Sequence, residues 1–304
     1  MEVILAQPRG FCAGVVRAIE TVKRALKVYS IPVYVLHEIV HNRHVVEDLN
    51  RHGALFIESL EEVPPGAVTI FSAHGVSTAV VEQAEKRRLK IIDATCPLVT
   101  KVHREAQRYS RQGYEIIIIG HPGHPEVEGT RGRVEGPVHV LLRSSQVSDL
   151  EVKRPGKLAY VTQTTLSIDD TREVIDALKG RFKIKGPELS DICYATQSRQ
   201  NAVRRMAGNI DLLLVVGARN SSNSNRLREV GEQNGLPSHL IEDPDDLNSA
   251  WFSGKGRIGI TAGTSAPEAM VQRVLDHLRT YRSIRVSEME GGRERMHFRL
   301  PDSL

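Results

Sequence analysis

Three cysteines, Cys12, Cys96 and Cys193, stand 84 and 97 residues apart. An odd number cannot all pair within one chain, and a secreted disulfide scaffold packs more cysteines into a shorter sequence. Free thiols in a reducing, cytoplasmic setting are the expectation. Each cysteine opens a helical pattern. Gly10-Phe11-Cys12-Ala13-Gly14 runs into Val15 to Val22, Ala94-Thr95-Cys96-Pro97 into Val99 to Ala106, and Asp191-Ile192-Cys193 into Thr196 to Arg204. Pro97 suits a first helical turn, and the positive end of a helix favours a thiolate. Three such positions at near-regular spacing point to one shared metal centre. Three thiolates can hold three irons of a [4Fe–4S] cluster and leave one iron open, where four cysteines would close it. An open iron can act as a Lewis acid on a hydroxyl, and the cluster can deliver single electrons.

The elements that must position these thiols are short apolar runs alternating with helical stretches. The runs are Val3 to Leu5, Val33 to Leu36, Val68 to Phe71, Glu115 to Ile119, Leu158 to Val161, Leu212 to Val216 and Ile258 to Ile260. Continuous apolar character fits strands buried on both faces of a parallel sheet. The helical stretches are Ala79 to Arg88, Lys101 to Gln112, Asp170 to Leu178, Arg226 to Asn234 and Pro267 to Thr280. Length alone, 304 residues, suggests about two domains. The cysteine spacing instead divides the chain into three small α/β domains: 13–96, 97–193 and 194–284. The first strand, within 1–12, joins the third domain, and 285–304 is read as a tail.

Ligands in open α/β sheets bind beyond the carboxyl ends of the strands. The segments there share a chemistry: His37 to Asn42, Ser72 to Ser77, His121 to Glu126, Thr162 to Ser167, Asn220 to Asn225 and Thr261 to Pro267. Hydroxyls, amides and imidazoles at helix starts can donate to phosphate oxygens. Any one such segment could merely cap a helix; six alike, three carrying His, argue for a phosphate pocket. His41, His74 and His124 lie just beyond strand ends and are the candidates, His121 is undecided, and His37, His44, His52 and His139 read as surface or satisfied residues. Glu126, two residues after His124, is a proton source if burial raises its pKa. Together these groups suggest reduction or dehydration of a small phosphorylated alcohol. Two alternatives stay open: a hydrolase with one metal on His121, His124 and Glu126, and a non-catalytic iron–sulfur carrier or sensor.

Composition narrows the field. Lys plus Arg is 41 against 37 Asp plus Glu, and aromatics are 5%, so nothing suggests a nucleic-acid partner. No apolar run approaches the roughly 18 residues of a membrane span, and the N-terminus lacks a signal-peptide pattern. Neither a P-loop nor a strand-linked G-x-G-x-x-G occurs, so neither a P-loop enzyme nor a dinucleotide site is expected.

The motifs Arg9-Gly10-Phe11-Cys12-Ala13-Gly14-Val15, Ser72-Ala73-His74-Gly75-Val76-Ser77, Asp93-Ala94-Thr95-Cys96-Pro97 and Gly120-His121-Pro122-Gly123-His124-Pro125-Glu126 carry a resemblance. So do Thr162 to Ser167, Asp191 to Thr196, Asn220 to Leu227 and Thr261 to Pro267. The sequence resembles the 4-hydroxy-3-methylbut-2-enyl diphosphate reductase (LytB/IspH) family from Gly10 to about Pro301. The resemblance implies three α/β domains with parallel sheets in a pseudo-threefold trefoil around a central iron–sulfur site. It implies one [4Fe–4S] cluster on Cys12, Cys96 and Cys193. The substrate diphosphate would meet His41, His74, His124, Ser221, Ser222, Asn223 and Ser265. Thr164 would position the substrate alcohol, and Glu126 would donate the proton, with His124 beside it. The reaction would be loss of an allylic hydroxyl as water, with electrons from ferredoxin or flavodoxin through an NAD(P)H-dependent reductase.

Overall fold

The computed structural model describes residues 1–29, 32–187, 191–292 and 294–304. Its strands are β1 (Glu2–Leu5), β2 (Val33–Leu36), β3 (Ala54–Ile57), β4 (Val68–Phe71), β5 (Lys90–Asp93), β6 (Glu115–Ile119), β7 (Val138–Leu141), β8 (Leu158–Thr162), β9 (Ile184–Lys185), β10 (Leu212–Val216), β11 (Ser238–Ile241), β12 (Arg257–Ala262) and β13 (Arg285–Glu288). The helices are α1 (Ala13–Tyr29), α2 (Arg43–Arg51), α3 (Thr78–Lys86), α4 (Pro97–Arg111), α5 (Pro125–Arg131), α6 (Ile168–Arg181), α7 (Tyr194–Ala207), α8 (Ser222–Gln233) and α9 (Glu268–Tyr281).

The strands form three sheets, ordered β3-β2-β4-β5, β7-β6-β8-β9 and β11-β10-β12-β1-β13. Every pairing is parallel. One order recurs: the two interior strands of each repeat are β2 and β4, β6 and β8, β10 and β12. In the third sheet β1 fills the place that β5 and β9 fill in the others, and β13, the start of the segment read as a tail, adds beyond it.

Two compact units result. One contains Met1–Val15, His41–Val45 and Tyr194–His297; the other contains Val16–Val40, Val46–Cys193 and Phe298–Leu304. In the first unit, alternate residues of β10 face opposite ways. Leu212, Leu214 and Val216 pack with Val271, Val274 and Leu278 of α9, while Leu213 and Val215 pack with Val203 and Met206 of α7 and Leu227 and Val230 of α8. In the second unit β6 does the same. Ile117 and Ile119 meet Val174 and Leu178 of α6, and Ile116 and Ile118 meet Val102, Ala106 and Tyr109 of α4. Ile116 through Ile119 are each at most 1% exposed; burying a side chain of this size stabilises by roughly 1.5–3 kcal/mol. Helices on both faces account for the continuous apolar runs of β6 and β10.

Candidate functional site

The second unit carries a continuous chain of contacts between two cysteines. Cys96 caps α4, with Pro97 at the first helical position, and its amide donates to Ala73 O at 3.0 Å. Next to Ala73, the His74 ring meets the His124 ring edge to face, centroids 5.9 Å apart. His124 caps α5, its Nδ1 accepting the Glu126 amide at 3.2 Å. Glu126 Oε1 accepts the Thr164 amide at 2.7 Å and its Oε2 accepts the Thr164 hydroxyl at 3.0 Å. Thr164 O in turn accepts the Cys193 amide at 3.0 Å.

The first unit carries a matching chain to the third cysteine. Ser221 caps α8, accepting the Ser224 amide at 3.3 Å, and Ser222 and Asn223 form the first turn. Buried Asn223 accepts the Thr264 amide through Oδ1 at 2.8 Å, and Thr264 O accepts the Cys12 amide at 3.2 Å. Beside it, the Ser265 hydroxyl donates to His41 O at 3.0 Å.

A register common to the three sheets underlies both chains. His41, His124 and Ser221 each lie five residues past the end of β2, β6 and β10. Ala73, Thr164 and Thr264 each lie two residues past the end of β4, β8 and β12, and each accepts a cysteine amide. The three cysteines are thus suspended in the same way from the neighbouring strand's loop. All three are half-buried and outside any disulfide.

Electrostatics single out one group. Burial pushes the Glu126 carboxyl up to about 7 from an ordinary 4.5; the two Thr164 bonds pull it down, and Asp191 adds to the rise. Asp191, held by the Thr162 amide at 3.2 Å, is itself pushed to about 6, mainly by burial. Burial also raises the Cys12 thiol, opposed by the Val15 and Gly14 amides and by Arg199.

The backbone around His74 is tightly specified. Gly75 has φ +77°, and a Cβ there would stand 2.5 Å from His103 Cε1. His103 is itself buried in α4, so it has nowhere to go. Gly75→Ala should therefore destabilise the protein by about 1–3 kcal/mol, from left-handed strain plus overpacking. Chemical denaturation of the variant measures this.

Several residues that matter here carry no chemical signature in the sequence. Arg17 Nη1 donates to Thr95 O at 3.0 Å, next to Cys96. Arg199, fully buried, donates to Gly10 O, two residues before Cys12, at 2.6 Å from Nη2. Gln163 Oε1 accepts the His121 amide at 3.0 Å. Among the described residues no three His, Cys, Asp or Glu side chains gather as ligands for a single ion; His121, His124 and Glu126 are not brought together as such a triad. The four histidines read as surface or satisfied each have a partner: His37 with Glu58, His44 with Glu242 O, His52 with Asp48 O and His139 with Glu115.

Comparison with known proteins fits this arrangement. The 4-hydroxy-3-methylbut-2-enyl diphosphate reductase of Acidithiobacillus ferrooxidans is 57% identical over 306 residues, covering 100% of this chain and 97% of that one. The enzyme of the same name from Zymomonas mobilis is 55% identical over 305 residues, covering 100% of this chain and 90% of that one. The solved structure of the E-1-hydroxy-2-methyl-but-2-enyl-4-diphosphate reductase from Plasmodium falciparum matches with a TM-score of 0.94 at 38% identity, over 99% of this chain and 96% of that one. Residues 3–279 match the family model described as LytB protein. This chain belongs to the LytB protein family.

Proposed function

We infer that the chain reduces (E)-4-hydroxy-3-methylbut-2-enyl diphosphate to isopentenyl diphosphate and dimethylallyl diphosphate. The reading rests on membership of the LytB family and on relatives that carry the reductase name. The structural observation behind it is the repeated suspension of Cys12, Cys96 and Cys193 from the residue two past an interior strand. Three half-buried thiols so held, none in a disulfide, are a soft donor set suited to one [4Fe–4S] cluster. Once bound, that cluster would supply single electrons and an open iron for the substrate hydroxyl.

The chain's own residues do the rest. His41, His74, His124, Ser221, Ser222, Asn223 and Ser265 hold the diphosphate through imidazoles, hydroxyls, an amide and the start of α8. Such charge-assisted bonds contribute about 1.5–3 kcal/mol each. An anchored diphosphate orients the far-end hydroxyl. Glu126 near neutrality keeps a proton that an exposed carboxyl would have lost. The Thr164 hydroxyl, 3.0 Å from Glu126 Oε2, hydrogen-bonds the substrate hydroxyl and passes it that proton. The substrate takes up two electrons and two protons. The C–O bond breaks, one proton leaves with the oxygen as water, and the other goes to either end of the allylic unit.

Thr164→Val removes the hydroxyl bond that lowers the Glu126 pKa. Turnover should fall roughly 10²-fold. The protonated carboxyl is the active form, so the alkaline limb of the kcat profile should move above pH 7.

Electrons arrive singly from ferredoxin or flavodoxin kept reduced by an NAD(P)H-dependent reductase. Three thiols outside any disulfide suit a reducing cytoplasm. Among the described residues no helix is long and apolar enough to cross a membrane. Anaerobic incubation of the reduced protein with the hydroxylated diphosphate tests the function. Both dehydroxylated C5 diphosphates are expected; a fully loaded, reduced protein that leaves the substrate unchanged would be a carrier or sensor instead.

A further inference from the structure

The end of the first unit runs alongside its beginning from Glu2 to Gln7. β13 pairs with β1 from Glu2–Arg285 to Leu5–Glu288. The Met289 amide then donates to Leu5 O at 3.0 Å, and a Cβ on Gly291 would stand 2.6 Å from Gln7 O. Arg9 donates to Glu268 and Glu288 at 2.8 and 2.9 Å. Last comes Glu294, which meets Arg199.

Arg199 is 0% exposed, and all three of its nitrogens are engaged. Nε and Nη2 donate to Gly10 O at 3.1 and 2.6 Å, Nη2 to Phe11 O at 3.4 Å and Nη1 to Ala195 O at 2.9 Å. Nη1 and Nη2 also grip Glu294 Oε1 and Oε2 at 2.8 and 3.0 Å, and the Ser198 hydroxyl donates to Oε1 at 2.9 Å. A guanidinium is buried at this cost only where its fork is fully used.

We propose that the Arg199–Glu294 pair is a latch that positions the Cys12 sulfur, so that docking of the segment carrying Glu294 governs the stability and redox poise of the centre held there. The proposal rests on the reading of Cys12 as a cluster ligand. The two carbonyls immediately before Cys12 are fixed by Arg199, and Arg199 is fixed by Glu294. The pair also sets two opposite charges beside one ligand, which gives it a signature that packing alone lacks.

The test uses E294Q, R199Q and R199K in the full chain. Hydrogen exchange on the cluster-free protein should show the amides of residues 11–14 losing protection roughly tenfold or more in all three. Reconstituted variants should lose iron to a chelator roughly 10–100-fold faster, as for other residues that orient metal ligands. E294Q leaves a positive charge uncompensated and should raise the cluster potential; R199Q leaves a negative charge and should lower it. R199K keeps the charge but not the fork, so its potential should stay near wild type while protection falls. Unchanged exchange at residues 11–14, or shifts of one sign in E294Q and R199Q, would overturn the latch. Should R199Q fail to fold, E294Q and R199K still decide it: a potential in E294Q at or below that of R199K rejects it. A wild-type chain that assembles no cluster would reject the ligand reading, and the exchange measurement would still judge the latch.

Discussion

Glu126→Gln is expected to bind the cluster and the diphosphate as the wild type does and to turn over roughly 10²–10⁴-fold more slowly, the usual contribution of a positioned proton donor. The amide keeps the shape, and the Thr164 hydroxyl can turn to accept from it, so the bonds at 2.7 and 3.0 Å have replacements. What is lost is the proton. Single-turnover kinetics separate this from weaker binding: KM stays, kcat falls. The pH profiles should differ too. The carboxyl is pushed to about 7, so wild-type kcat should decline as pH rises through that value, and the variant's profile should lack this limb.

The same group links pH to stability. Its folded-state value, about 7, exceeds its ordinary 4.5. The folded state therefore binds the extra proton, and the stability this contributes is full below about pH 4.5 and lost as pH rises through 7. At one pKa unit per 1.36 kcal/mol the loss is at most about 3 kcal/mol. Glu126→Gln should accordingly gain stability relative to wild type between pH 5 and 8. Urea unfolding of the cluster-free protein at several pH values would show a flat difference if Glu126 were solvated instead.

Cys193→Ser should remove the cluster and, with it, activity by more than the roughly 10–100-fold typical of residues around a metal site. A serine hydroxyl stays protonated at neutral pH and does not replace a thiolate. The backbone bond from residue 193 to Thr164 O survives the exchange. The cluster-free variant should therefore unfold within about 1 kcal/mol of the cluster-free wild type. Iron content and visible absorbance after anaerobic purification read the first effect, thermal denaturation the second. An intact, active cluster in the variant would remove Cys193 from the ligand set.

The seven strands legible as apolar runs are the interior strands of the sheets: β1, β2, β4, β6, β8, β10 and β12. β6 and β10 are covered by helices on both faces, which favours a continuous apolar run. The six that left no such signal, β3, β5, β7, β9, β11 and β13, are all edges. Lys90 and Asp93 end β5 in solvent, β13 is Arg-Val-Ser-Glu, and even Ala54–Ile57 keeps Leu55 exposed. Helix α5 has no apolar period to mark it, because Pro125 and Gly129 interrupt its seven residues; the close approach of Gly129 to Gly75 O explains the glycine. At the site, residue types were legible and their support was not. His124, Glu126 and Thr164 stand out by chemistry, and the apolar runs mark the ends of β6 and β8 to within a residue, but no local pattern shows that the Thr164 amide and hydroxyl would meet the Glu126 carboxylate. Arg199 and Glu294 are 95 positions apart, and only the folded chain brings the latter onto the guanidinium that holds Gly10 O. Charged residues of this kind look like ordinary surface until a partner distant in sequence buries them.

The proposed reaction requires a single inorganic centre that Cys12, Cys96 and Cys193 would bind together. Iron and acid-labile sulfide should be counted after anaerobic reconstitution of the wild type and of Cys12→Ser, Cys96→Ser and Cys193→Ser. The account predicts about four of each per wild-type chain, and a collapse of both in every variant. A wild-type chain active with one zinc or one iron and no sulfide, or any cysteine variant that keeps the full count, would contradict it.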